Sequence, residues 1–457
     1  VENFLSRTNV NQLVLFLLVV ISAARFTSAQ TPVPSPTPTA SNDATLRYLD
    51  AAVGLTSDKA VELALENNGE IIALRKEVES ARALIKQAGL RPNPRLGIDG
   101  AKLIGGADNE QMAAIMLPLE LGGRRAARIA VAQRELEVRE FALANQERLL
   151  AAEVRTKFGE ALATIKKFDV MDRAYTVARQ GYDLVTARVT EGKTAPLEQN
   201  MLLVEVNRLH ALLESSKGNI EIAMFELRNL IGMRPEEPMR LKDEFQDLIA
   251  PLPPLGFSTD QALLRRPDLQ GVRTIEKLAD TRIEQLKSEG RIDASIKGGY
   301  RRSRMGFPLS GIDESGGLRP IDTVFRSFTF GIELDLPVRN RNQHAIEAAL
   351  LDRQAARSRS EFGELTIRRE VASAFARYNS AARALAIFQN GVRDQAGSNL
   401  QVIWQTYELG SRSLIEYLSE ERRYLDIENE FVNAALETYI ANIEVMRAVN
   451  SAALKGK

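Results

Sequence analysis

Two stretches of this chain run without proline for far longer than a globular domain needs, and each ends at a glycine. No proline lies between Pro118 and Pro196, and none follows Pro337. A proline inside a helix costs about 3 kcal/mol, so both stretches can hold very long helices. From Arg124 to Glu191 the apolar pattern is helical. Leu136, Leu143 and Leu150 recur every seven positions, and Val154, Phe158, Ala161, Ile165 and Phe168 alternate spacings of four and three. That is a coiled-coil seam. At the rise of an α-helix such a rod is on the order of 100 Å long. A second rod is expected from about Asn342 to Leu409. The rods end at Gly192 and Gly410, and returning helices follow, from Pro196 to about Ile231 and from Leu414 to about Ala448. Glycine supplies the left-handed backbone on which helices often stop, and Pro196 suits a helix start.

The chain contains this arrangement twice. Ala81-Arg82-Ala83-Leu84-Ile85-Lys86-Gln87 matches Ala279-Asp280-Thr281-Arg282-Ile283-Glu284-Gln285. Leu96-Gly97-Ile98-Asp99-Gly100 matches Ala294-Ser295-Ile296-Lys297-Gly298, and Leu117-Pro118-Leu119 matches Leu336-Pro337-Val338. Ile129 matches Ile346, and Glu191-Gly192-Lys193 matches Leu409-Gly410-Ser411. The order is the same throughout, which divides the body into a first repeat over 55–250 and a second over 251–457. Each repeat reads helix, strand, strand, long helix, tight turn, returning helix. The leading helices are expected from Ser57 to about Gly89 and from Ser258 to about Glu289. The second repeat gains length from Ser303 to Phe325, a Gly-, Pro- and Ser-rich stretch that reads as an exposed loop.

The strands and the N-terminal residues bear on location. Leu13 to Ile21 is an apolar core preceded by Arg7 and followed by the small residues Thr27-Ser28-Ala29. It is too short to span a bilayer and has the form of a secretory signal peptide over 1–29. Residues 30–54 follow as a linker, with a proline at every second position in TPVPSPTPTA, a composition that cannot build a core. Phe328 to Leu336 alternates without a break: Phe328, Phe330, Ile332, Leu334 and Leu336 share one face, and Thr329, Glu333 and Asp335 the other. Its length suits a tilted strand of a membrane barrel. The same alternation also fits a small soluble sheet with one wet face. Ala294–Arg301, Leu96–Leu103 and Met112–Leu117 alternate less regularly. Four strands cannot close a barrel, and a bilayer does not tolerate open sheet edges. A barrel therefore requires an oligomer, and three copies would supply an even-numbered twelve-stranded wall.

Composition excludes several classes. Lys+Arg and Asp+Glu are equal at 60 each, with no basic stripe, which argues against a nucleic-acid partner. The absence of cysteine excludes disulfides, thiolate metal sites, thiol nucleophiles and a lipidated N-terminal Cys. The two histidines, His210 and His344, have no metal-ligand cluster around them and read as packed or surface residues. No Ser–His pairing and no phosphate loop is present. An enzyme is not expected, nor is a cofactor or bound metal.

The two rod ends carry the most specific pattern. One reads Arg188-Val189-Thr190-Glu191-Gly192-Lys193-Thr194-Ala195-Pro196-Leu197-Glu198. The other reads Tyr407-Glu408-Leu409-Gly410-Ser411-Arg412-Ser413-Leu414-Ile415-Glu416-Tyr417-Leu418. Each has an aromatic or apolar residue, a glycine, and an acidic residue six positions beyond it. With the duplication, the chain from Leu55 to Asn450 resembles the TolC family of outer-membrane efflux proteins. The resemblance implies a mainly α protomer with four strands. Three copies would form a twelve-stranded membrane β-barrel continued by a long antiparallel coiled-coil α-barrel in the periplasm. It implies a passive gated duct in the outer membrane, a homotrimer in contact with outer-membrane lipid, fed by a periplasmic adaptor (membrane fusion) protein and an inner-membrane transporter. Gly192 and Gly410 would be the tips that adaptor helices approach. Tyr407, Arg412 and Glu198 would hold the periplasmic entrance shut, and Glu416 would line its constriction. The family's second acidic position is Ser419 here, with Glu420 and Glu421 just beyond. Leu117-Pro118-Leu119-Glu120-Leu121-Gly122-Gly123-Arg124-Arg125-Ala126-Ala127-Arg128-Ile129 is similar to the rod start of heavy-metal cation efflux channels of the cobalt–zinc–cadmium type, which implies divalent metal cations as cargo. The rival reading is a periplasmic adaptor or another secreted coiled-coil interaction protein. An adaptor has one hairpin flanked by β-rich domains and no tandem duplication.

Overall fold

The structure, a computed structural model, describes residues 47–456 apart from positions 51, 105, 107, 243, 250 and 251. The expected signal peptide, and the linker through residue 46, lie outside the described residues. The end of the linker is held against the body: Leu49, like Leu55 at the start of the first repeat, bridges to Leu241, and the Tyr48 ring meets Phe168 edge-on.

The first run of elements is α1 (Ser57–Asn67), α2 (Gly69–Ala88), β1 (Arg95–Lys102), β2 (Asn109–Pro118), α3 (Arg124–Thr190) and α4 (Pro196–Leu230). A short α5 (Phe245–Leu248) precedes the second run. That run is α6 (Leu255–Arg265), α7 (Pro267–Glu289), β3 (Asp293–Ile312), β4 (Leu318–Asp335), α8 (Gln343–Ile387), α9 (Arg393–Glu408) and α10 (Leu414–Val449). A 3₁₀ turn, Ala452–Lys455, follows.

The first rod is α3, continuous for 67 residues. From Leu150 onward its seam is buried as the spacing predicts, with Val154, Phe158, Ala161 and Ile165 fully inaccessible and Phe168 nearly so, while Leu136 and Leu143 are only half-buried. They pack in one core with Leu209, Ile220 and Met224 of α4 and Tyr439 and Ile443 of α10. A second, smaller core joins Leu269 of α7 to Ile367, Val371 and Phe375 of α8 and Val445 of α10.

Four sequence expectations are corrected. The second rod is not continuous: a π-helical turn, Phe388–Val392, divides α8 from α9, with Asn390 and Gly391 off helical backbone values. Gly391 has φ 150°, a conformation that side-chain-bearing residues avoid, and Asn-Gly is a local turn signal. The leading helices are each two helices. Asn68 sits extended between α1 and α2, and its side chain accepts the Glu70 and Ile71 N–H groups as an N-cap. Arg266 sits extended before α7 because Pro267 disfavours helix in the residue preceding it. β2 starts at Asn109 rather than Met112. Finally, Ser303–Phe325 is no loop. It is the outer part of a β3–β4 hairpin, paired from Arg304↔Val324 out to Ile312↔Leu318, with a register shift between Gly306 and Ser310. The glycines and prolines there mark a bulge and a turn, closed by the Asp313 carboxylate accepting the Ser315 and Gly317 N–H groups. Ile312, Ile321 and Val324 carry the ladder between them.

The sheet is antiparallel in the order β1-β2-β3-β4, so β1 and β4 are both free edges. Its foot is tied to the helices by the arginines of the rod start. Arg128 donates to the Ala88 and Leu90 carbonyls and pairs with Glu120 at 2.6 Å; Arg125 donates to the Gly89 carbonyl. Arg124 donates to the Glu289 and Arg291 carbonyls. Guanidinium groups thereby satisfy the open carbonyls at the ends of α2 and α7.

Candidate functional site: barrel wall and hairpin tips

Strand register decides what the sheet is. Residues paired across antiparallel strands share a face. One face reads, in successive rows, Leu117–Ile296–Ile332, then Leu96–Ile115–Gly298–Phe330, then Ile98–Ala113–Tyr300–Phe328. The opposite face reads Met116–Lys297–Gly331, Gly97–Ala114–Gly299–Thr329 and Asp99–Met112–Arg301–Ser327. A soluble sheet would bury the apolar face on a core. Among the described residues nothing covers it: Phe328, Phe330 and Ile332 are 76%, 87% and 73% exposed. The polar face is the more enclosed one, with Ala114 buried. An apolar outside, a polar inside and two open edges are the properties of one segment of a membrane barrel. Among the described residues no helix is long and apolar enough to cross a membrane.

The hairpin tips lie at the other end of the rods. Gly192 and Gly410 both have φ 74°, the left-handed value that closes a helix, and around both there is open space where a Cβ would be. The tips are thus open to approach from outside the protomer.

Behind them the two hairpins join. The Tyr407 hydroxyl donates to Glu198 at 2.8 Å, linking α9 of the second hairpin to α4 of the first. Tyr407 packs in an aromatic group with Trp404 and Tyr417, whose rings lie 4.8 Å apart, above Val185, Leu202, Leu414 and Leu418. Burial and the Glu198 carboxylate raise the Tyr407 hydroxyl pKa, so the tyrosine stays a proton donor. Arg412, in the turn before α10, meets Glu416 in the first turn of that helix at 2.9 Å, and no bond joins Arg412 to Glu198 among the described residues. Glu416 also closes a capping box with Ser413 at the start of α10. The Ser413 N–H first, and Arg412 second, hold the Glu416 carboxyl below its ordinary value. Of the expected cluster, then, the fold brings together Tyr407 with Glu198 and Arg412 with Glu416, as two separate pairs.

A third junction was not anticipated. Arg422 of α10 donates to Glu205 of α4 at 3.0 Å, and Glu205, almost wholly buried, also accepts from Arg208. Burial works against the Glu205 charge, but the two guanidinium groups outweigh it and its pKa lies below normal. Glu421 lies beside this pair, 4% exposed, with one carboxylate oxygen lacking a hydrogen-bond partner among the described residues. Burial first, then the Glu205 charge, pushes its carboxyl up to about 7. The sequence does hold a signal for Glu205: it stands between Leu202 and Leu209 on the buried stripe of α4, where a charge needs a partner. Glu421 is directed into the packing of the hairpins rather than into open space. His210 stacks on Tyr175, and exposed His344 meets Glu347. Among the described residues no group of three or more His, Asp or Glu side chains could hold a metal ion.

A two-faced membrane sheet rooted on two long coiled-coil hairpins defines a protomer of the outer-membrane channel-and-tunnel class. The chain belongs to the outer membrane efflux protein family, whose members match it over residues 60–233 and 259–451, most of its length. It is 23% identical over 403 residues to the cobalt-zinc-cadmium resistance protein CzcC of Cupriavidus metallidurans, covering 87% of this chain and 90% of that one. It is 25% identical over 329 residues to the nickel-cobalt-cadmium resistance protein NccC of Alcaligenes xylosoxydans xylosoxydans, covering 70% of this chain and 66% of that one. Its fold is similar to the crystal structure of CusC, described for transmembrane channel formation, with a TM-score of 0.71, 17% identity and coverage of 87% and 92%. The protein is therefore an outer-membrane efflux channel of the kind that serves tripartite systems, with its helical tunnel in the periplasm, and not an enzyme. TolC-like channels are trimers. The adaptor reading is set aside by the family match and by the two hairpins.

Proposed function

We propose that three copies of this chain close a twelve-stranded barrel, and that the tips of their hairpins form a gate at the periplasmic end of the duct. Tyr407 and Glu198 lock the two hairpins of each protomer together in the closed state. Arg412 and Glu416 place a charged pair at the entrance. An adaptor protein docks on the glycine tips, Gly192 and Gly410, and its binding competes with the lock, letting cargo from an inner-membrane transporter enter. The two repeats, 55–250 and 251–457, are the two blades that each protomer contributes. The observation that carries the gate is the Tyr407–Glu198 bond between hairpins at 2.8 Å. The double variant Tyr407→Phe, Arg412→Ser should raise single-channel conductance severalfold in a planar lipid bilayer. Unchanged conductance in a folded variant removes the gate assignment and leaves the channel itself standing.

For cargo, we propose divalent metal cations, supported by the likeness to the CzcC and NccC resistance proteins. No metal site is required in the chain, because a duct needs only a wall that lets ions pass. Deleting the gene should lower tolerance to cobalt, zinc or cadmium and leave tolerance to organic toxicants unchanged. The reverse pattern would refute the metal assignment.

A further inference from the structure

The apolar face of the barrel ends abruptly in arginine. Beyond the Ile98–Ala113–Tyr300–Phe328 row, the next row on the same face is Gly100–Gln111–Arg302–Arg326. The row after that is Lys102–Asn109–Arg304–Val324. Both ends of the sheet can be assigned. The helices attach where β1 and β3 begin and where β2 and β4 end, so that end faces the periplasm, and the β1–β2 and β3–β4 turns face the cell exterior. Arg302 and Arg326 therefore stand on the lipid-facing side, at the outer edge of the apolar band. They lie one row beyond the edge-on ring pair Tyr300–Phe328, at 5.6 Å, where aromatic residues mark the membrane–water boundary.

Arg302 and Arg326 are direct cross-strand partners, an arrangement of like charges that destabilises a sheet unless something neutralises it. The neighbouring arginines are neutralised within the protein: Arg304 pairs with Asp322, and Arg301, on the lumen face, with Glu110. Arg302, Arg326 and Lys102 have no ion pair among the described residues. Two adjacent guanidinium groups offer paired N–H donors in the geometry that fits phosphate oxygens. Their depth is that of a lipid headgroup.

We propose that Arg302 and Arg326, supported by Lys102, form a binding site for the phosphate groups of an anionic glycolipid in the outer leaflet, one site per protomer. This rests on the outer-membrane barrel reading. The bound phosphate neutralises the arginine pair and fixes the height of the barrel in the membrane.

The test uses the full-length channel in nanodiscs with bisphosphorylated lipid A as the probe, and reads bound lipid by native mass spectrometry. Insertion is checked separately by co-flotation of the protein with lipid vesicles after a carbonate wash. The wild type should bind bisphosphorylated lipid A roughly tenfold or more tightly than its dephosphorylated form. The Arg302→Gln, Arg326→Gln variant should lose that preference. Arg302→Lys, Arg326→Lys should keep part of it, because charge survives without the paired donors. Arg301→Gln, one residue away on the lumen face, should bind like the wild type. An inserted double Gln variant that still prefers phosphorylated lipid overturns the site, as does an equal loss in Arg301→Gln. Inorganic phosphate displacing the lipid at micromolar concentration would mark a free-anion site and overturn the lipid assignment. A wild type that fails to insert at all would instead break the barrel reading.

Discussion

The two rods descend from one repeated pattern and end in glycines of the same conformation, yet their middles differ. The first rod is a single helix whose seam is sealed between α4 and α10. The second is divided at Phe388–Val392, where no residue is buried, and α9 beyond it buries only Ala396 and Tyr407. One hairpin is thus anchored by apolar contact from Leu150 to Val185. The other carries the tyrosine of the Tyr407–Glu198 bond on a segment with little of its own core and a break behind it. Stability that is concentrated in one element leaves the other free to rearrange at low cost. Under the proposed gate, that division would separate a fixed hairpin from a yielding one.

The comparison breaks first at the seams. Phe158→Ala in the first rod should cost about 3–5 kcal/mol, since the ring is fully buried in the main core. Phe375→Ala, slightly exposed and in the smaller core of the second rod, should cost less, at the low end of that range, about 3 kcal/mol. Thermal unfolding of both purified variants, followed by circular dichroism, gives the order. Equal losses would remove the asymmetry.

A smaller effect should follow pH. The Glu421 carboxyl is raised from 4.5 to about 7 in the folded chain, chiefly by burial. A raised carboxyl favours folding while protonated, so its contribution is complete below the unfolded value and is lost as pH rises through the folded one. Stability of the tip junction should therefore fall between about pH 4.5 and pH 7. Glu421→Gln should raise the melting temperature at pH 8 and change it little near pH 4. A gain of the same size at both pH values would place the strain elsewhere.

The smallest effect belongs to the break itself. Gly391→Ala forces a side chain into a left-handed position and should cost about 1 kcal/mol. Protease nicking near residue 391 should rise in that variant, with the first rod unaffected. No change in stability or cleavage would mean that the break is incidental.

Much of this is legible in the sequence. The seam from Leu136 to Phe168 and the strand from Phe328 to Leu336 have regular periods, and one dominant force, burial or lipid contact, reads each directly. The tip glycines were legible because a helix end constrains its own backbone. The partner of Tyr407 could be named only through the family resemblance, since Tyr407 and Glu198 are 209 positions apart. Other features were hidden for physical reasons. The break at Gly391 turns on two residues inside an otherwise helical pattern. The outer β3–β4 hairpin was masked by the glycine and proline of its bulge and turn, which outweighed Ile321 and Val324 in a local reading. The arginines at the rod start stand out in sequence only as a mark of family resemblance, whereas in the fold they satisfy carbonyls at the ends of two other helices. Arg422–Glu205 joins elements far apart in sequence, and only Glu205's place on an apolar stripe announced that a partner was needed.

The central claim is that β1 and β4 are free edges which other copies of this chain must seal. The chain contains no cysteine, so Leu96→Cys on β1 and Phe330→Cys on β4 would be its only thiols. Treating the membrane-embedded protein with a short bis-maleimide should give a covalent ladder that ends at three subunits. Recovery of uncrosslinked single chains alone, from membranes in which the double variant is inserted, would contradict the account.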